Sequence, residues 1–329
     1  MAFDRIIVLT RSQCLIHSVN TLDSPIAIDF KEDSMYGLAL GPKSLAIIGW
    51  NGIKIYSHHG KYLSSPNYQI TSAGRVSPDA VSIGYDVLAI IDDSNKNVVR
   101  FFSCETGDSL DNKIGKITHE VDIEQIYLSH KMGLNERYTY IIMIDKKKDM
   151  FIKPMGKHYV QHAEDGAFKL GTHITSAAWD EKSNILCCLE ETKANLYYFP
   201  LAPFVDIDLL NETKESIELG TRCAKVVSFC GNQCTLSLQN ESAIHVPVSE
   251  GYSLLHEYAS SGNWDECLRL CRFRNIPSMW ATLACLAIQH DELEAAESAL
   301  VAIRAVDKLQ HLRSIRAMPQ GEVRYIHNQ

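Results

Sequence analysis

The chain is poor in the features that would announce chemistry. No window approaches the roughly 18 uninterrupted apolar residues a membrane-crossing helix needs. Asp4 and Arg5 lead into no sustained apolar core, so no secretory leader is expected. G-x-x-x-x-G-K-[ST], G-x-G-x-x-G and G-x-S-x-G are all missing, which removes motif support for nucleotide binding and nucleophile-elbow hydrolysis. Positive charge is in deficit: 32 Lys and Arg stand against 40 Asp and Glu, a net charge of −8. That balance argues against a nucleic-acid binder, which would carry a basic patch or stripe. The 10 cysteines show neither a disulfide framework nor paired C-x2-C zinc spacing. Cys187 and Cys188 sit side by side in an apolar run, as buried small hydrophobes do. A reducing intracellular compartment follows, in which the sequons at Asn211 and Asn240 carry no glycan.

A change of hydrophobic period near Gly251 organises what is present. Upstream, six apolar doublets repeat: Ile6–Leu9 with Cys14–His17, Leu45–Ile48 with Ile53–Tyr56, and Val87–Ile91 with Val98–Phe102. Tyr138–Ile144 with Met150–Lys153, Ile185–Leu189 with Leu196–Phe199, and Cys234–Leu238 with Ala243–Val248 complete the set. Each is a pair of strand-length runs rich in β-branched and aromatic residues across a polar turn. Asn51 and Gly52 suit a tight hairpin, and residues 92–97 and 145–149 read as polar tips. Short strands precede several doublets, at Ala80–Ile83, Ile123–Leu128, Ile174–Trp179 and Val226–Cys230. Three to four strands at a period of about 40–45 residues predict WD-type propeller blades. One small sheet cannot cover both its faces, so neighbours stack radially. The blade signatures are degenerate: Trp179-Asp180 stands ahead of a strand instead of closing one, and no Gly-His opens a blade. Six units leave closure of the ring unassigned.

Downstream the period is helical. Trp264, Cys267, Leu268 and Cys271 share one helix face, behind an Asn263–Glu266 capping box. Pro277 precedes a second helix capped by Ser278, with Trp280, Ala284, Ala287 and Ile288 on its face. Asp291 and Glu294 cap a third ahead of Leu293, Ala296 and Leu300, and a fourth runs from Val306 to Ala317. These are the short, alanine-rich helices of an αα-repeat. The expected fold is therefore mainly β with α. Residues 1–250 form a WD40-like β-propeller of about six blades, and residues 251–329 a short, truncated TPR-like α-solenoid.

Certain residues are less anonymous. They include Leu255, His256, Glu257, Tyr258, Trp264, the run 269–273, Met279, Trp280, Ala281, Asp307, Lys308, Gln310, Ser314, Ile315 and Pro319. Upstream stand Ile55, Tyr56, Ser57, Ser64, Ser65, Pro66, the run 184–187, Val227, Ser228, Phe229, Gly231, Asn232 and Gln233. In order and spacing this set resembles the WD-repeat subunit, of roughly eighty kilodaltons, in complex B of the intraflagellar transport machinery. That family carries two propellers and a longer helical region; the chain resembles the second propeller and the start of the helices. The resemblance implies a non-enzymatic scaffold supporting cilium assembly and maintenance, at the axoneme and basal body with a cytoplasmic pool. It implies other complex B subunits as partners, with self-association as a further expectation, and no cofactor.

Two clusters bear on metal binding. His158 and His162, with Glu164 and Asp165, have i, i+4 spacing, but the glutamate expected beside the first histidine is missing. Cys223, Cys230 and Cys234 read as strand core. No metal site is expected. The candidate partner contacts are basic: Lys146, Lys147 and Lys148 on a hairpin tip, and Arg269, Arg272 and Arg274 near the junction of the two periods. Exposed apolar surface at the end of the solenoid is a third candidate. A vesicle-coat or tethering component has the same architecture and is the alternative reading. A propeller enzyme would need carboxylates converging on one channel mouth, whereas Asp92, Asp93, Glu190 and Glu191 fall on turns.

Overall fold

The structure, a computed structural model, describes residues 3–19, 24–30, 35–68, 76–130, 139–155, 166–240 and 242–317, with side chains as far as 314. Six antiparallel sheets follow one another along the chain. Blade 1 holds β1–β3 (Arg5–Leu9, Gln13–Ser18, Ile26–Asp29), and blade 2 holds β4–β7 (Met35–Leu40, Ser44–Gly49, Gly52–Ser57, Tyr62–Ser64). Blade 3 holds β8–β11 (Val81–Ile83, Val87–Ile91, Val98–Ser103, Ile117–Thr118), and blade 4 β12–β15 (Ile123–Leu128, Tyr140–Asp145, Met150–Pro154, Phe168–Gly171). Blade 5 holds β16–β19 (Ile174–Trp179, Leu186–Glu190, Lys193–Tyr197, Lys214–Glu218), and blade 6 β20–β22 (Cys223–Cys230, Gln233–Leu238, Ala243–Pro247).

The six doublets are adjacent antiparallel strands in these sheets. Tyr138 lies outside the described residues, and its strand starts at Tyr140. In blades 2 to 5 the second strand is covered on both faces: every residue of β5 and β13 is buried. Such strands write continuous apolar runs into the sequence. The first strand alternates, as in β4, and the fourth is short and half-exposed, as in β19. The first strands β8, β12, β16 and β20 stand where the sequence pattern placed short strands, while β4 and the outer strands were not anticipated. Trp179 also corrects its expectation: it closes β16, and Asp180 turns the chain toward β17 by accepting bonds from the Ser183 amide (2.8 Å) and hydroxyl (2.6 Å).

Inner strands pack in sequence, β1 on β4, β4 on β8, β8 on β12, β12 on β16 and β16 on β20. Among the described residues no comparable packing returns from β20 to β1. Both facing sheets have three strands, with Ile6 and Val8 exposed on one and Val227 on the other. Blades 2 and 3 are locked by a glycine. Gly107 has φ of 77° and abuts the Ser65 backbone so closely that no Cβ would fit.

The described residues hold six α-helices: α1 (Leu209–Glu212), between β18 and β19, and then α2 (Glu250–Ser260), α3 (Trp264–Arg274), α4 (Pro277–Gln289), α5 (Leu293–Ala302) and α6 (Val306–Ala317). Two more helices, α1 and α2, stand before the four anticipated. Their caps differ from expectation. Asn263 is the N-cap of α3 without a side-chain bond, and Glu266 pairs with Arg269 instead of closing a box. Pro277 is the first residue of α4 behind Ile276, because its fixed φ suits that position and it has no N–H to leave unpaired. Ser278 is therefore inside the helix. Glu292, not Asp291, caps α5, while Asp291 takes the left-handed turn before it at φ of 59°. Residues 279–287 of α4 are all buried, making it the central helix of the array.

Candidate partner-binding surfaces

The propeller and the helices are joined by a built interface. The hairpin of blade 6 turns through Gly231 and Asn232, both with positive φ. Asn232 then holds the start of α2: its Oδ1 accepts from the Ser253 hydroxyl (2.7 Å), and its carbonyl accepts from the Val248 amide (2.8 Å). On the blade 5 side, Tyr198 stacks on Tyr252 with rings 3.4 Å apart and nearly parallel. The Tyr252 hydroxyl pairs with Ser278 at 2.6 Å, and buried His256 pairs through Nε2 with the Tyr198 carbonyl at 2.8 Å. Burial raises the proton affinity of both tyrosines, so the stack is neutral.

A second brace comes from the connection between β18 and β19. It contains α1, which packs on α4, and two acids, Asp206 and Asp208, that pair with Lys308 of α6. One apolar core results, running from Tyr140 through blades 5 and 6 to Leu312. Residues 200–213 carry this brace, and beyond the sequon at Asn211 they have no assigned role in the sequence pattern. The available signal was a long break in strand patterning containing Pro200, Pro203 and paired acids.

Polar side chains link neighbouring and more distant blades. Lys225 of β20 reaches Asp79, just before β8, at 2.6 Å, tying blade 6 to blade 3 across two intervening blades. Tyr127 donates to Gln125 at 2.6 Å, and Gln125 donates to the Thr175 carbonyl at 3.0 Å. A cavity of about 370 Å³ opens between blades 3 and 4, lined by Asp79, Asp92, Asp93, Asp122, Glu124 and Lys146 among others. Its carboxylates are largely engaged: Asp79 with Lys225, Asp122 with Lys146, Glu124 with Lys148, and Asp92 with Ser94 and, at 4.0 Å, Arg100.

The basic candidates divide the same way. Lys146 lies 3.0 Å from Asp122 and Lys148 pairs with Glu124, so the hairpin tip is mostly neutralised. Lys147 is exposed with no ion pair among the described residues, while its amide donates to buried Asp145. Arg269 pairs with Glu266 at 2.7 Å. Arg272 and Arg274 are exposed and have no ion pair among the described residues. Between them stands Phe273, which sequence reading left out of the contact set. It is 82% exposed, more than any other large hydrophobic residue described.

Cys223 and Cys234 are buried strand residues, and Cys230 is half-buried. Cys234 lies 3.1 Å from Cys187 in the seam between blades 5 and 6. Burial pushes the thiols of Cys104, Cys188, Cys267 and Cys271 up to about 12, so they pack as apolar groups. Among the described residues no His, Cys, Asp and Glu group is placed to hold a metal; His158, His162, Glu164 and Asp165 lie outside them. No described helix is long and apolar enough to cross a membrane.

Comparison with known proteins follows this geometry. Residues 1–250 match the family described as the IFT80 second beta-propeller, and residues 279–328 match the IFT80/172/WDR35/WDR19 TPR domain. The intraflagellar transport protein 80 homolog of Mus musculus is 32% identical over 98% of this chain, and that of Rattus norvegicus 31% identical over 98%. The chain spans 41% of the length of each. Among solved structures, Kluyveromyces lactis Hsv2p is similar at a TM-score of 0.44 and 10% identity, over 74% of this chain and 76% of that one. A match over the whole propeller, followed in order by the helical domain, places the chain in a family: it belongs to the IFT80 family, through its second propeller and the start of its TPR-type helices.

Proposed function

We propose that this chain is a non-enzymatic scaffold segment of an intraflagellar transport complex B subunit, supporting cilium assembly and maintenance through protein–protein contacts. Its working sites are the ciliary axoneme and basal body, with a cytoplasmic pool. Its partners are other complex B subunits. The observation that carries this reading is the common core joining a family-matching propeller to family-matching helices. A propeller and a helical array fixed rigidly together present two surfaces at a constant angle, which is what a structural subunit supplies. We assign residues 1–250 to the propeller unit and 251–329 to the helical unit. Partner contact falls on the basic positions that the fold leaves free, Lys147, Arg272 and Arg274, with Lys146, Lys148 and Arg269 as their internally paired neighbours.

Fluorescent tagging in a ciliated cell tests this. Bidirectional particle movement along the axoneme, with co-purification of complex B subunits, is the expected result. Golgi or endosomal puncta without a ciliary signal would overturn it in favour of a coat or tethering role.

A further inference from the structure

We propose that the C-terminal turn of α3 is a docking point for an acidic peptide segment bearing an apolar anchor, supplied by another subunit of the particle. This deepens the reading above and rests on it. The buried face of α3 is formed by Cys267 and Cys271, with Trp264 and Leu268 partly covered. Phe273 falls off that face and is 82% exposed. Arg272 and Arg274 flank it, without ion pairs among the described residues. The position a Cβ would take on Gly251 lies 3.7 Å from the Arg274 Nε, so this arginine lies beside the buried first turn of α2. Leu254, one turn further along α2, is also exposed. An exposed aromatic ring thus stands between two exposed arginines in the last turn of α3.

Arginines in a last helical turn offset the helix dipole, and that alone explains their charge. It does not explain a phenylalanine set between them in water. Aromatic residues and arginines are the side chains that dominate protein interfaces. A guanidinium binds carboxylates through two parallel hydrogen bonds, so the complementary group is an Asp or Glu, with an apolar neighbour to cover the ring.

Replacing Phe273 with the photo-crosslinking analogue p-benzoylphenylalanine tests this in ciliated cells expressing the tagged chain. Because the ring is exposed, the fold is not at stake, and near-ultraviolet circular dichroism verifies it. Irradiation is expected to join the site to a peptide of another subunit rich in Asp and Glu around an apolar residue. The double variant Arg272→Glu/Arg274→Glu is expected to lower that crosslink at least about tenfold. Arg269→Ala, which removes a side chain already paired to Glu266, leaves it unchanged. Crosslinks to a second copy of this chain, to lipid, or to a neutral or basic peptide each overturn the proposal. So does the absence of any crosslink from a chain that still co-purifies with complex B, which leaves the scaffold reading intact. A chain that fails to co-purify overturns both.

Discussion

Blades 1 to 3 and the region from blade 4 to α6 solve the same problem differently. In the front, each seam has its own small core. One lies between blades 1 and 2 around Cys14, Ile16 and Leu45, a second between blades 2 and 3 around Ile48 and Leu88, a third between blades 3 and 4 around Phe101 and Ile141. In the back, blades 4 to 6 and the helices share one core that includes Tyr197, Tyr252, Leu283 and Leu312. A boundary in hydrophobic period is therefore not a boundary in packing. The front is modular, whereas the back folds around α4.

The strongest way to break that contrast is to end the chain at Ser249. Tyr198, Phe199 and Leu201 would then lose the helices that help bury them. Hydrogen exchange is expected to show collapse of protection in β17, β18 and β21, with β5 and β9 retaining theirs. Native protection throughout the shortened chain would show two independent bodies instead.

Point substitutions sharpen the contrast at lower cost. Leu255→Ala and Leu45→Ala both truncate a fully buried leucine, and each is expected to cost about 2–5 kcal/mol by chemical denaturation. Their exchange footprints should differ: Leu255→Ala loosens blades 5 and 6 together with α4, while Leu45→Ala loosens blades 1 and 2 alone. A smaller step is Tyr252→Phe, which keeps the stack on Tyr198 and deletes the bond to Ser278. A loss of about 0.5–1.5 kcal/mol is expected. No loss at all would mean that stacking alone holds the junction.

The smallest effect belongs to the front. Buried His58, whose Nε2 pairs with the Gly41 carbonyl, has its proton affinity lowered by desolvation from the ordinary 6.5. The unfolded chain therefore binds the proton more readily. The stability that the neutral ring contributes is complete above pH 6.5 and declines as the pH falls below it. His58→Gln should flatten that decline, measured as the difference in unfolding free energy between pH 7.5 and 5.5. An unchanged slope would assign the acid sensitivity to other groups.

How far the sequence could be read depended on where each residue is covered. The second strands, β5 and β13 among them, were legible because burial on both faces writes an unbroken apolar run. β11 has only two residues, so it fell below the level at which pattern separates strand from loop. The face of α3 was legible from the spacing of Cys267 and Cys271. The caps at Ser278 and Asp291 were misplaced by one or two residues, because several residues near each start could serve. In the contact set, sequence supplied the charges but not their state. Lys146, Lys148 and Arg269 look as free as Arg272 until Asp122, Glu124 and Glu266 come near them in space.

By itself the order of residues determined a β-repeat followed by helices, and the family with it. Period and turn chemistry are local properties, written within a few residues of where they act. Only the tertiary structure decided that Tyr198 and Tyr252 stack, that Lys225 meets Asp79, that Lys308 of the last described helix holds a loop of blade 5, and that Phe273 stays in water. Each depends on segments far apart in the chain being brought together, or kept apart, by the packing of one apolar core.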